Sequence, residues 1–103
     1  MAYLIEFAES IREHLSYLSA RERVIVIQSI EEQLMYEPLI ETRNRKPMRP
    51  NPLAPWELRI GALRIFYEVV SEEQDTVRIL AIAKKEGNNL FIAGQEVKLN
   101  ENA

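Results

Sequence analysis

Arg59 and Arg64 are the residues whose spacing first suggests chemistry, because the stretch that holds them, WELRIGALRIFYEVV from Trp56 to Val70, should set them side by side. Apolar residues alternate at Trp56, Leu58 and Ile60 and again at Leu63, Ile65, Tyr67 and Val69, with Gly61-Ala62 between them. That is the period-2 pattern of a β-hairpin closed by a tight turn. Glycine at the first central position predicts a type II′ turn, which pairs Ile60 with Leu63, Arg59 with Arg64, Leu58 with Ile65 and Trp56 with Tyr67. Like charges opposed across two strands cost up to ~1 kcal/mol. A bound polyanion would offset that cost. So would Glu57, on the same face and diagonal to Arg64, by neutralising an exposed surface, and the two readings stand open together.

The charge around this hairpin is uneven. Residues 1 to 42 hold three basic and eight acidic groups, residues 43 to 64 hold six and one, and residues 65 to 103 hold four and seven, so the middle of an acidic chain is strongly basic. Such a segment can dock phosphates, since backbone neutralisation supplies most sequence-independent affinity for nucleic acid. It can equally pair with the acidic segments of the same chain. Its other cations, Arg43, Arg45, Lys46 and Arg49, lie in ETRNRKPMRPNPLAP from Glu41 to Pro55, where four prolines predict an extended, stiff connector carrying them toward the hairpin. The P-x-x-P spacing of Pro47 and Pro50 beside basic residues also allows a small adaptor that offers a ligand of the SH3 type.

Other chemistries find little support. Zero cysteines remove disulfides and thiolate nucleophiles, and a single histidine leaves no cluster for a transition metal, so neither metal nor other cofactor is expected. His14 reads as a solvent-facing or satisfied histidine. No run approaches the ~20 apolar residues of a membrane span, and Glu6 and Glu9 stand where a signal peptide needs positive charge, so the expected location is the cytoplasm.

The elements that must position these cations fit one domain over residues 1–103. Tyr3, Ile5 and Phe7 alternate into a first strand. Ser10 with Glu13, and then Ser19 with Glu22, read as capping boxes opening two helices. Val24, Ile27, Ile30 and Leu34 form the expected apolar stripe of the second helix, which Pro38 ends. After the hairpin, Val77, Ile79 and Ala81 alternate into a strand ending at Lys84-Lys85. LFIAGQEVKL then predicts a short hairpin around Ala93-Gly94, with a terminal helix as the alternative. The fold class expected is α+β: an N-terminal strand, a helical hairpin, an antiparallel three-stranded meander and a short C-terminal hairpin.

This order, together with WELRIGALRIFYEV and the later VRILAIAKKEGNNLF, resembles the RelE/ParE family of bacterial toxins across nearly the whole chain. The resemblance implies a RelE-like toxin domain of a type II toxin-antitoxin system, held inactive by a cognate antitoxin. In the RelE branch it implies cleavage of mRNA in the ribosomal A site, with ribosome and mRNA as partners, no membrane and no small-molecule ligand. In the ParE branch it implies inhibition of DNA gyrase, and some members retain only antitoxin binding. Carried over by residue, Arg64 takes the place of an arginine on the scissile phosphate, Arg59 that of a basic residue on the preceding strand, and Lys85 or Lys84 that of the cation closing the last strand. Glu57 stands where a second lysine is expected and is the candidate catalytic base, with another group or the ribosome as the alternatives, and Phe91 aligns loosely with a late tyrosine. Core packing is the favoured reading of Phe91.

Overall fold

The computed structural model describes residues 2–99. Strand β1 (Leu4–Phe7) leads into helices α1 (Ile11–Ser16) and α2 (Ala20–Leu34), followed by strands β2 (Arg45–Pro47), β3 (Trp56–Ile60), β4 (Leu63–Ser71), β5 (Asp75–Glu86), β6 (Asn89–Ile92) and β7 (Gln95–Val97). The strands form one seven-stranded sheet in which β2 to β7 neighbour one another in chain order and β1 pairs with β5. Neighbours from β2 to β7 are antiparallel. β1 runs parallel to the start of β5. The expected meander is β3, β4 and β5, and the expected C-terminal hairpin is β6 with β7. Ala93 and Gly94, both at positive φ, make its turn.

Alternation along the strands separates two cores. Leu58, Ile65, Tyr67, Val77, Ile79 and Ile82 point to one face, where Ile11 and Leu18 join Val26, Ile30 and Leu34 of α2 in the main core. Phe66, Ala81 and Ala83 point the other way and meet Ala54, with Met48, Leu53 and Leu80 packed around them. A bulge between Phe66 and Tyr67 in the β4–β5 register leaves Leu80 unpaired and lets it join this second face.

Two expectations for the helices change and one holds. Ser10 does cap α1 in position, but its side chain accepts no capping bond, because its backbone is already in the helical region (ψ -11°). Ser19, in extended backbone, forms both bonds of its capping box with Glu22. On α2 the buried stripe is Val26, Ser29, Ile30 and Leu34, while Val24 and Ile27 are exposed. At 3.6 residues per turn Val24 lies about 200° round the helix from Val26. Either stripe can include Ile30 and Leu34, and docking on the sheet selects the one that holds Val26.

The proline segment is not a simple connector. Its first part is β2, a short edge strand where proline is tolerated. Its second part folds back over the sheet, with Met48 N–H donating to Pro55 O at 2.8 Å. Asn51 holds this fold: its Oδ1 accepts from the backbones of Leu53 and Ala54, and its Nδ2 donates to Arg49 O and Ala54 O. Met48, Leu53 and Ala54 thereby cover Phe66 and leave the tip of the β3–β4 hairpin open.

Candidate functional site

The open tip carries the paired arginines in the expected register, Arg59 opposite Arg64, with Leu58 opposite Ile65 on the helix-covered side. Gly61 at φ +56° supplies the turn geometry that a side chain would strain. On the next strand Ala83 lies opposite Arg64, so no bulky group crowds the guanidinium from that side. Two residues further along β5, Lys85 projects to the same face, and its N–H donates to Ala62 O at 2.7 Å, joining the strand end to the turn. Arg59, Arg64 and Lys85 therefore form a cation group around one hairpin tip.

Glu57 occupies the same face one step inward. Its carboxylate is 11% exposed and accepts from Arg59 Nε at 2.6 Å. Lys46 lies opposite it on β2, although the Lys46 ammonium reaches Glu41 instead, at 3.6 Å. Arg64 donates through Nη1 to Gly61 O and Leu63 O, at 2.7 and 2.9 Å. Partial burial pulls the Arg64 pKa below its usual value, the Arg59 charge adds to the effect and Glu57 opposes it. The group stays a cation, since arginine does not deprotonate in proteins. Its charge is incompletely neutralised, which suits it to an incoming anion.

The remaining predicted cations divide. Arg43 and Arg49 are exposed. The chain just after Arg43 is fixed beside the hairpin by Asn44, whose carbonyl accepts from Arg59 N–H and whose Nδ2 donates to Arg59 O, both at 2.8 Å. Arg45 is not part of the basic surface. It pairs with Leu58 on the helix side and is buried, donating to Ile40 O, Gln33 O and Gln33 Oε1. There it complements the negative end of α2. Lys84 is also on the wrong face, because it neighbours Lys85 in a strand, and its ammonium meets Glu22 of α2 at 2.9 Å. Of the two lysines closing β5, Lys85 alone shares the arginines' side.

Phe91 pairs with Lys84 and lines a cleft with His14, Tyr17 and Leu18, on the side of the sheet away from Arg64. It therefore offers nothing to the arginine face, and it lines an open cleft without joining either hydrophobic cluster, so the core packing expected of it is not met. Among the described residues no group of three or more His, Cys, Asp or Glu side chains could hold a metal ion. No helix among them is long and apolar enough to cross a membrane. Asn44 and Asn51, which build the site's flank, went unmarked in the sequence, where only Asn51-Pro52 gives a turn signal.

No family model matches the chain. No curated protein matches it either. The fold is similar to a chain in a solved structure described as the toxin-antitoxin complex RelBE2 from Mycobacterium tuberculosis, with a TM-score of 0.67 and 27% sequence identity over 82% of this chain and 100% of that one.

Proposed function

We propose, from the RelE-like toxin fold of this chain, that it is the toxin of a type II toxin-antitoxin pair and that its cation face cleaves mRNA on the ribosome. The observation that carries the reading is the opposition of Arg59 and Arg64 at an uncovered hairpin tip, with Lys85 on the same face. In the reaction the 2′-hydroxyl of a nucleotide gives its proton to water as its oxygen attacks the adjacent phosphorus, the bond to the 5′-oxygen breaks, that oxygen takes a proton from water, and a 2′,3′-cyclic phosphate and a 5′-hydroxyl result. Negative charge grows on the phosphorane, and preorganised cations lower its energy. Arg64 meets the phosphate, Lys85 neutralises its far side and Arg59 anchors a neighbouring phosphate.

Among the described residues proton transfer has no comparable provision. Glu57 is nearly covered and engaged with Arg59, so it acts as a positioning residue rather than a free base. General acid and base catalysis contributes about 10² to 10⁴-fold, and an enzyme without it depends on a substrate already oriented by the ribosome. Arg43, Lys46 and Arg49 flank the face and contribute to phosphate affinity. The partner that silences the chain is an antitoxin, as in the similar complex.

The test is induced expression of the chain and of Arg64→Ala. Growth arrest with lost translation and cuts confined to translated messages is the expected result, relieved by Arg64→Ala with the variant folded. The lack of a placed acid or base among the described residues favours one rival, gyrase inhibition of the ParE type. Arrest with gyrase-linked DNA breaks and intact messages would select it.

A further inference from the structure

The edge of β5 is paired in two separate pieces. β1 covers Thr76 to Ile79, ending where Ala8 N–H donates to Ile79 O at 2.9 Å, and β6 begins again at Lys84. Between them no strand among the described residues pairs with Leu80 to Ala83 on that side. A backbone N–H in this gap has lost its ladder partner, and next to a nearly fully buried side chain such as Ile82 it needs another. His14 provides it: the Ile82 N–H donates to the Nδ1 of His14 at 3.2 Å. An imidazole that accepts at Nδ1 is neutral and carries its proton on Nε2.

We propose that His14 is a pH-sensitive latch, standing in for the missing strand beside Ile82 and tying α1 to β5, and that its protonation releases the tie. A proton on Nδ1 would set two donors against each other. α1 is only six residues long with no side-chain bond at its N-cap, and besides this tie it is held by Ile11 and Leu15 against the main core and by Arg23, which donates to Leu15 O and Leu18 O. It also braces the terminal hairpin, since Tyr17, just past its end, lies so close to Gly94 that an added Cβ would sit 3.0 Å from the ring. Loss of the tie therefore frees the edge of β5 at Ile82 and slackens the brace on the terminal hairpin.

The surroundings favour the neutral form. Burial lowers the His14 pKa from its ordinary 6.5, and Glu13 on the same helix raises it by less. Lys84 and Glu86 of β5 line the same cleft, Lys84 is held by Glu22 of α2, Tyr17 brings its phenol from just past α1, and β6 with its turn into β7 contributes the uncharged Phe91, Ala93 and Gly94. With a folded pKa below the unfolded one, the unfolded chain binds the extra proton first. The latch is fully closed above about pH 6.5, and its contribution falls as pH drops from there to the depressed value.

Nuclear magnetic resonance of the full chain tests this directly, by following the His14 ring nitrogens and the hydrogen-exchange protection factor of the Ile82 amide from pH 7.5 to pH 5. Expected are an Nε2-protonated ring at pH 7.5 and a protection factor that falls about tenfold or more as the ring titrates. His14→Ala should give the low value at both ends. Protection of Ile82 that stays constant while His14 titrates, or an Nδ1-protonated ring at pH 7.5, would overturn the proposal, and both are read on the unmodified chain whether or not the variant folds.

Discussion

Glu57 decides how the arginine face works. Its carboxylate lies 2.6 Å from Arg59 Nε and is nearly covered, the setting of a group that orients a cation. Glu57→Gln keeps the shape and removes the charge, so single-turnover cleavage should change by less than about tenfold, whereas a loss near a hundredfold would make Glu57 a base. Phe91→Tyr should bring no gain, because its ring lies on the helix side, beside His14 and Tyr17. Arg45 and Arg49 are predicted alike from sequence and differ in the fold. Replacing buried Arg45 by Met strips its bonds from Gln33 and Ile40 and should cost about 2 kcal/mol, read as a lower Tm. Arg49→Ala, at an exposed position, should stay within about 0.5 kcal/mol.

At the scale of elements, local chemistry tells the two helices apart. Ser19→Ala removes a formed capping box and should cost α2 about 1 kcal/mol, while Ser10→Ala should cost a few tenths at most, since no side-chain bond exists to lose. Thermal unfolding of both variants checks the pair. The hairpin that carries the site was legible because its signal is local: alternation fixes the faces and Gly61 the turn, so Arg59, Arg64 and the opposed Leu58 and Ile65 follow from spacing alone. β2 was hidden by prolines, which forbid a central strand but permit this edge one. The stripe of α2 was ambiguous because Ile30 and Leu34 fit two faces of the helix, and only packing on the sheet chooses Val26 over Val24. The burial of Arg45 depends on where the end of α2 arrives, a tertiary fact that residues 41 to 55 do not contain.

Across the whole molecule charge is segregated along the central strands. The β3–β4 turn gathers Arg59, Arg64 and Lys85, and the β4–β5 turn at the other end of β4 carries exposed Glu72, Glu73 and Asp75. Nucleic acid should be drawn to one pole only. If the antitoxin covers that pole with acidic groups, association should weaken as salt rises, and adding it should lower RNA cleavage. A partner that binds elsewhere would show little salt dependence and leave cleavage unchanged. The most direct measurement is cleavage of mRNA by the purified chain with and without translating ribosomes, beside a folded Arg64→Ala control. Cuts that need both the ribosome and Arg64 are the predicted result; messages left intact by well-folded protein on translating ribosomes would contradict it.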